Sequence, residues 1–302
     1  MGKPLNQQVV VISGAASGIG RATAKRFAAH DARVVVGGRS AAGIAAILQE
    51  IKEAGGQAVG MEVDVSRRDQ VEALAALATK TYGRIDTWVN NAGVSVYGRF
   101  ETIKEEEVRR LFDVNFMGQM YGMWTALPIL RANGGGTIIN LASVVGKRGL
   151  PLQNFYSATK FAIIGLTEAV RVELKTDKEN IALCAICPPS IDTPFYDNAL
   201  SKMGHTARPL PIVLSADRVA KDVVKCAVRA RREVWVGLIG KAFVTLSVLF
   251  PWMMDMYITS LGYGAQMSDE PPHDASLFQP TSLIGESGHW SAWGKREQSA
   301  NQ

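Results

Sequence analysis

Seven short apolar runs alternate with longer amphipathic segments over the first 240 residues. The runs cover residues 9–12, 34–36, 58–63, 85–89, 137–141, 181–186 and 234–236. The segments between them have helical length and period and cover residues 19–30, 44–54, 105–132, 155–178 and 216–229, with a further helix from Ser66, its predicted N-cap, to about Tyr82. Strands that are apolar on both faces are typical of a parallel sheet covered by helices. The pattern therefore predicts an α/β fold with a doubly wound, seven-stranded parallel sheet.

The chain changes in character near residue 240. Residues 1–240 are predicted to form one α/β domain, and residues 241–302 a C-terminal extension. The extension is apolar and helical to about residue 265, and a polar arm rich in Pro, Ser and Gly begins at Met267. Its longest charge-free run, 242–254, has 13 residues. Because about 20 residues are needed to span a bilayer, this run favours a buried or interfacial helix.

The composition is that of an ordinary globular protein, with 302 residues, 47% hydrophobic and 20% charged, and a net charge of +5. No segment interleaves basic with aromatic residues, so nucleic-acid binding has no support. Three cysteines, Cys184, Cys187 and Cys226, are too few for a disulfide framework. The histidines lack metal-ligand spacing, and no metal site is predicted. Because no secretory signal precedes the first predicted strand, we expect a cytoplasmic protein.

A glycine-rich turn follows the first predicted strand and opens the first predicted helix. It reads Ser13-Gly14-Ala15-Ala16-Ser17-Gly18-Ile19-Gly20. Glycine permits a tight turn and close backbone approach, and a helix N-terminus presents free N–H groups to a pyrophosphate. Between a strand and a helix, this spacing predicts dinucleotide contacts at Gly14, Ser17, Gly18, Ile19 and Gly20.

The end of the second strand indicates which dinucleotide binds. An acidic residue there usually holds the 2′-hydroxyl of NAD, whereas Arg accommodates the 2′-phosphate of NADP. This chain has Gly37-Gly38-Arg39-Ser40, which predicts contacts from Arg39 and Ser40 and a preference for NADP(H) over NAD(H). The competing interpretation makes Arg39 a solvated surface charge.

Two further strand ends contribute to the predicted nucleotide site. Asn91, Ala92 and Gly93, after the fourth strand, would place compact backbone against the adenine ribose, although an ordinary Asn-Gly turn has similar composition. Asp64 and Val65 follow the third strand. Asp64 either accepts a hydrogen bond from the adenine amino group or caps the next helix, and the sequence does not distinguish these roles.

Tyr156 and Lys160 are four residues apart at the start of a predicted helix and share one of its faces. A phenol with a pKa near 10 is a poor catalyst at neutral pH, and an ammonium within ~4–6 Å lowers that pKa. Tyr156 is therefore the predicted general acid/base. Ser143, at the end of the preceding strand, would hold a carbonyl or alkoxide oxygen. Asn115 would tie Lys160 to water.

In this combination and order, the motifs resemble those of the short-chain dehydrogenase/reductase family, in its form with a Gly-x-x-x-Gly-x-Gly loop. The matched stretches lie between residues 7 and 240, about three-quarters of the chain. The resemblance implies a Rossmann fold and reversible alcohol–carbonyl chemistry with a nicotinamide cofactor. It implies a catalytic tetrad of Asn115, Ser143, Tyr156 and Lys160. It also implies that Lys160 binds the nicotinamide ribose and that Ile191 and Thr193 contact the carboxamide.

Two positions depart from the family's pattern. Ser13 stands where Thr is common and keeps the hydroxyl. Pro188-Pro189 stands where Pro-Gly is common, and the second proline stiffens the turn and removes a donor N–H. The expected cofactor contacts of Pro188, Ile191 and Thr193 therefore rest on a turn that this chain builds differently.

The segment after the sixth strand, from Ile191 to Leu214, is the predicted substrate lid. This lid and the other candidate walls, Val94, Val96, Tyr97 and residues 144–150, are mostly apolar, and no arginine is placed to hold a carboxylate. The sequence thus predicts an NADP(H)-dependent oxidoreductase that interconverts a lipophilic carbonyl and a secondary alcohol.

The predicted partners are a small-molecule substrate and further copies of the chain, as a homo-dimer or homo-tetramer. Residues 234–261 would supply a subunit contact, a pocket wall or a peripheral membrane contact, and the sequence leaves these open. The alternative function is a nucleotide-sensing binding protein on the same scaffold. A broken tetrad would mark that alternative, and here all four residues are present.

Overall fold

A parallel sheet lies at the centre of the computed structural model, which describes residues 2–272, 277–280 and 285–288. In this part of the chain the sheet has seven strands: β1 (Val9–Ser13), β2 (Arg33–Gly38), β3 (Gln57–Glu62), β4 (Thr87–Asn90), β5 (Gly136–Leu141), β6 (Ile181–Cys187) and β7 (Glu233–Trp235). Their order across the sheet is β7-β6-β5-β4-β1-β2-β3, and every neighbouring pair is parallel. The predicted fold class is confirmed.

The register explains why these apolar runs form the middle of the sheet. Val10 of β1 pairs with Val34 of β2, and Val11 pairs with Trp88 of β4. All of these side chains are fully or almost fully buried. Because successive side chains point to opposite faces, a strand that is apolar throughout needs a helical layer on each side.

Nine helices, counted over the described residues, cover the sheet and its carboxyl edge: α1 (Gly18–Ala28), α2 (Ala41–Glu53), α3 (Arg68–Tyr82), α4 (Glu105–Phe112), α5 (Gly118–Ala132), α6 (Asn154–Thr176), α7 (Ala216–Val228), α8 (Gly237–Leu249) and α9 (Pro251–Tyr257). Helices α1, α2 and α7 pack on the face that carries Val10 and Ile12. Helices α3, α5 and α6 pack on the face that carries Val9 and Val11. The crossovers therefore place a helical layer on both faces, as a doubly wound sheet requires.

Two predicted elements differ from the structure. The helix predicted over 105–132 is two helices, α4 and α5, joined by a π-helical turn at Asp113–Met117. Ser66 does not cap α3, which begins at Arg68, because its hydroxyl oxygen accepts from Arg110 at 2.7 Å while the hydroxyl donates to Asp64 Oδ1 at 2.7 Å. Both differences lie at the carboxyl edge of the sheet, next to the cavity described below.

The C-terminal extension folds back over this edge. Helices α8 and α9 meet at an angle of 120°. Val244 of α8 and Ile258, just after α9, pack with Val144, Leu150 and Tyr156. Among the residues predicted as a polar arm, 273–276, 281–284 and 289–302 lie outside the described part of the chain.

Candidate active site

A cavity of about 610 Å³ opens beyond the carboxyl ends of the strands. It brings together most of the residues predicted to contact cofactor or substrate: Gly14, Ser17, Gly18, Ile19, Arg39, Ser40, Asp64, Val65, Asn91, Ala92, Gly93, Ser143, Tyr156, Lys160, Pro188, Ile191 and Thr193. Two predicted residues, Gly20 and Asn115, do not line it. The parallel topology explains this gathering, because the chain leaves each strand at the same edge.

The glycine turn is held in a shape that larger residues would not permit. Gly14 and Gly18 have φ of +68° and +53°. A Cβ on Gly20 would lie 2.2 Å from the Gly14 carbonyl oxygen, so Gly20 acts by close packing beneath the turn. Asn91 Nδ2 donates to the carbonyl oxygens of Gly14, at 2.9 Å, and Ser13, at 3.2 Å. Asn91 therefore braces the turn from below.

At the adenine end, Asp64 is engaged with two partners. Its carboxylate accepts hydrogen bonds from Ser66 and, at 2.7 Å, from Arg110 of α4. Burial opposes ionisation, but these hydrogen bonds outweigh it and lower the pKa of Asp64. Asp64 does not cap α3. Arg110 was not predicted as a site residue, because a contact with a residue 46 positions away leaves no local pattern.

Arg39 is half-buried at the mouth of the cavity rather than fully solvated. Burial and the nearby Arg110 lower its pKa, and Asp64 partly offsets them. Arg39 thus adds a cation to the cavity lining, whereas Arg110 is already paired with Asp64. Ser40 lies beside them, but its hydroxyl oxygen accepts from Gly43 N at 3.1 Å and so caps α2.

Tyr156 and Lys160 face the same side of α6, as their spacing predicts. Lys160 Nζ lies 5.5 Å from the centre of the Tyr156 ring and donates to the Leu141 carbonyl oxygen at 2.9 Å. Ser143, which follows β5, is hydrogen-bonded to Tyr156. Burial lowers the pKa of Lys160 to about 8.

The expected lowering of the Tyr156 pKa is wrong for the protein alone. Burial raises this pKa well above 10, the Tyr196 phenol raises it further, and the hydrogen bond with Ser143 lowers it only in part. The attraction of Lys160 alone would lower the pKa of Tyr156, but removal of the phenol from water has the larger effect. Tyr196 is itself half-buried, and this burial raises its pKa to about 12.

Asn115 occupies the π-helical turn and is fully buried. Its Oδ1 accepts from Val94 N at 2.8 Å, and its Nδ2 donates to the Val94 carbonyl at 2.9 Å and to Thr159 Oγ1 at 3.3 Å. Asn115 thus links the loop after β4 to helix α6 at Thr159, the residue that precedes Lys160. These bonds position the site, whereas the water link to Lys160 stays a prediction.

The substrate end of the cavity is apolar and is built from the lid and the extension together. Lid residues Phe195 and Leu210 face α8 and α9 residues such as Phe243 and Met254 across it. Two short strand pairs pin the lid, Val96–Tyr97 with Leu200–Ser201 and Ile191–Asp192 with Leu214–Ser215. Val96 and Tyr97, predicted as walls, are buried within the first of these pairs and do not line the cavity.

The second proline of the Pro188-Pro189 turn has a packing role. Its ring atom Cδ lies 3.5 Å from the position of a Cβ on Gly240 in α8. The Pro188 carbonyl accepts from Val144 N at 3.0 Å and from Ser143 Oγ at 3.3 Å. The turn therefore joins Ser143 to the extension.

Comparison with known proteins identifies the family. The family model described as short chain dehydrogenase matches residues 8–204. The chain belongs to the short-chain dehydrogenase family. An uncharacterized oxidoreductase, YxnA of Bacillus subtilis, is 35% identical over 296 residues, covering 96% of this chain and 83% of that protein. The resemblance expected from the motifs is confirmed.

Two other proteins similar to this short-chain dehydrogenase are informative. A 3beta-hydroxysteroid dehydrogenase of Mediterraneibacter gnavus is 37% identical over 195 residues, covering 64% of this chain and 70% of that protein. A crystal structure of a short chain dehydrogenase/reductase from Burkholderia phymatum in complex with NAD is 25% identical, with a TM-score of 0.75, covering 93% of this chain and 100% of that one.

The buried ammonium of this short-chain dehydrogenase gives a test of the site's electrostatics. The pKa of Lys160 is about 8 in the folded chain against 10.5 in the unfolded one, so the unfolded state holds its proton more tightly. The resulting cost in folding stability is fully present below pH 8 and is lost above pH 10.5. Replacing Lys160 by Met should therefore raise the free energy of unfolding at pH 7 by up to roughly 3 kcal/mol, at 1.36 kcal/mol per pKa unit.

The increase in the free energy of unfolding of Lys160→Met should be smaller at pH 9.5 than at pH 7. Urea unfolding at these two pH values measures it. The Leu141 carbonyl keeps Gln119 Nε2 as a donor at 2.9 Å, so Lys160→Met leaves it satisfied. Lys175→Met, on the exposed side of the same helix, is the control and should change stability little at either pH. A loss of stability at pH 7 would contradict the assignment.

Proposed function

We propose that this protein is an NADP(H)-dependent oxidoreductase that interconverts a lipophilic carbonyl compound and its secondary alcohol. The observation that carries the proposal is the convergence of Tyr156, Ser143 and Lys160 at one end of a cavity whose other end holds the glycine turn and Arg39. Proton-handling groups and dinucleotide-binding groups thus share one enclosed space.

The residues present fit a dinucleotide. A Cβ on Gly14 would lie 2.6 Å from Ala92 Cα, so only glycine lets the turn pack this closely against the loop after β4. Ser17, at the N-terminus of α1, makes no side-chain cap to its own helix. Together with Arg39, this helix end forms a donor set suited to phosphate groups. Lys160, Ile191 and Thr193 would hold the nicotinamide half.

The chemistry divides between cofactor and protein. A nicotinamide cofactor supplies or accepts the hydride when bound. Tyr156 would donate its proton to the carbonyl oxygen in reduction and remove it from the alcohol in oxidation. Ser143, hydrogen-bonded to Tyr156, would hold the same oxygen as charge develops. Lys160 would position the ribose and keep a cation beside the phenol, which counters the burial that raises the pKa of Tyr156.

Replacing Tyr156 by Phe tests the catalytic assignment. We expect turnover to fall by at least about 10²-fold, because general acid–base catalysis contributes this much or more. The affinity for NADPH should change little, since the phenol is placed to act on substrate. Turnover of a ketone, followed by NADPH absorbance, and NADPH binding, followed by fluorescence, provide the two measurements.

The matched control is Tyr121→Phe, a phenol on α5 that does not line the cavity. It should retain full turnover. A Tyr156→Phe protein that keeps the normal rate would remove Tyr156 from the mechanism.

Replacing Arg39 by Ala tests the preference for NADP(H). Charge-assisted hydrogen bonds to a phosphate are worth about 1.5–3 kcal/mol, so NADPH affinity should fall by about ten- to a hundredfold and NADH affinity by much less. Arg33→Ala, at the other end of β2, is the control. Titration with both cofactors decides the matter, and equal losses for the two would discard the 2′-phosphate role.

The apolar substrate end supports a lipophilic ligand. Phe195, Leu210, Phe243 and Met254 line it, and the Tyr156 and Phe195 rings lie 5.5 Å apart. The related Mediterraneibacter gnavus protein is a 3beta-hydroxysteroid dehydrogenase. Steroid ketones are therefore the first compounds to test, followed by other apolar ketones.

We further propose that α8 and α9 rest on a lipid surface. In the described part of the chain no single helix is long and apolar enough to cross a membrane, but the bent pair Gly237–Leu249 and Pro251–Gly262 reaches that composition jointly. Large apolar side chains point outward along it: Leu238, Val248, Leu249, Phe250, Trp252, Met256, Tyr257 and Leu261. Leu246 and Tyr257 are both exposed and part of the cavity wall, so a lipophilic substrate would enter from the lipid.

Replacing Trp252 by Glu tests this contact. The change removes an exposed indole and adds a charge, so binding to phosphatidylcholine–phosphatidylglycerol vesicles should fall by at least about tenfold in a flotation assay. Phe100→Glu, at a comparably exposed aromatic side chain outside the extension, is the control and should bind vesicles normally. Absence of vesicle binding by the unmodified protein would refute the lipid contact.

Location and assembly complete the proposal. We propose a cytoplasmic protein that acts at the membrane surface as a homo-dimer or homo-tetramer. Trp124 of α5 with Phe161 and Val172 of α6 expose apolar surface far from the extension, which supports a contact between copies there. The presence of all four tetrad residues favours an enzyme over a nucleotide-sensing binding protein.

A further inference from the structure

Two short stretches near the C-terminus lie across the dinucleotide end of the cavity. We refer to residues 277–280 and 285–288 together as the strap. Leu277 is 2% exposed and packs with Val96 and Leu111. Its carbonyl oxygen accepts hydrogen bonds from Arg39, at 3.3 Å, and Arg110, at 3.2 Å. This end of the strap is therefore fixed beside the adenine side of the site.

The strap continues over the glycine turn. Gly18 N, at the start of α1, donates to the Gly285 carbonyl oxygen at 2.7 Å, and Ser17 and Gly285 pair as a parallel β-bridge. Glu286 forms an ion pair with Lys25 of α1 at 2.7 Å. The middle of the strap is thus attached to the helix whose N-terminus would face the pyrophosphate.

The last described residues reach the nicotinamide side. Gly288 N donates to Asp192 Oδ1 at 3.1 Å. A Cβ on Gly288 would lie 2.7 Å from the Thr193 carbonyl oxygen, so the strap lies directly against the loop that follows β6. The contacts therefore run along the whole dinucleotide site, from Arg39 to Thr193.

The strap borders this site and already uses two of its predicted dinucleotide donors, because the carbonyl oxygens of Leu277 and Gly285 accept from Arg39 and from Gly18 N. The cavity beneath remains continuous from Arg39 past the glycine turn to Lys160, and Pro280 of the strap is part of its lining. A segment that plugged the site would divide this space. Among the described residues the attachments are few: one buried leucine side chain, a small number of hydrogen bonds and one partly exposed ion pair. Such attachments can open without unfolding the sheet.

We propose that the strap is a lid that retains the bound dinucleotide, so that cofactor exchange requires its release. The proposal rests on the dinucleotide binding proposed above and adds residues outside the stretch 8–204 that the family model matches. A cover of this kind slows dissociation more than association, because it must open before the ligand leaves.

The test uses the full chain with the double variant Leu277→Asn and Glu286→Gln, which weakens the attachment at the first end of the strap and the attachment at its middle. Release of NADPH is followed by the loss of its fluorescence after mixing with excess NADP⁺. We expect the dissociation rate to rise by about tenfold, equivalent to 1.4 kcal/mol. Phe278→Asn, the same type of change at a neighbouring side chain that is 52% exposed, is the control and should release NADPH at the normal rate.

Each alternative result has a distinct meaning. An unchanged dissociation rate would overturn the lid, and so would faster association with unchanged dissociation, because a plug behaves in that way. Failure of the unmodified protein to bind either dinucleotide would overturn the lid and the proposed function together.

A second measurement does not depend on the variant's folding. In the unmodified protein, NADP⁺ should slow amide hydrogen exchange in the peptide that contains residues 285–288. Unchanged or faster exchange there would also overturn the lid.

Discussion

The site depends on holding an ammonium group almost entirely out of water. Lys160 is 3% exposed, and its charge is stabilised by the Leu141 carbonyl at the end of β5. Burial of a charge is costly unless the surrounding dipoles are fixed in advance. The Leu141 carbonyl meets this need, since Gln119 also donates to it and the sheet fixes its direction. The chain thereby keeps a cation beside the Tyr156 phenol, at a cost in stability that functional sites commonly carry.

The geometry that holds Lys160 in place extends to the π-helical turn. A single α-helix over residues 105–132 fits the periodicity, because apolar positions continue through the turn without a break. The wider turn instead directs Asn115 towards both the loop after β4 and helix α6. Residues of this kind are fixed by contacts between separate elements, so no local pattern encodes the turn.

The sequence predicts the features that local patterns encode, and it does not predict those that depend on contacts between separate elements. The strands, most helices and the gathering of strand-end residues follow from local periodicity and parallel topology, and they agree with the structure. The contacts of Asp64 with Arg110 and of Arg39 with Leu277 join residues 46 and 238 positions apart. The Tyr156 pKa differs from expectation for a related reason, since burial is a property of the whole fold. Pro189, a departure from the family's pattern, lies next to Gly240 of α8, a neighbour that no local pattern predicts.

The extension is therefore part of the site rather than an addition to it. The family model ends at residue 204, yet Phe243 and Met254 line the cavity beyond that point, and Ile258 packs with Tyr156. Residues from the extension also cover the dinucleotide end, where Pro280 meets the cavity. The two ends of the cavity are thus bounded by different parts of the extension, the helices α8 and α9 at one and the strap at the other. Substrate and cofactor would then enter by separate routes, and a change in one route need not alter the other.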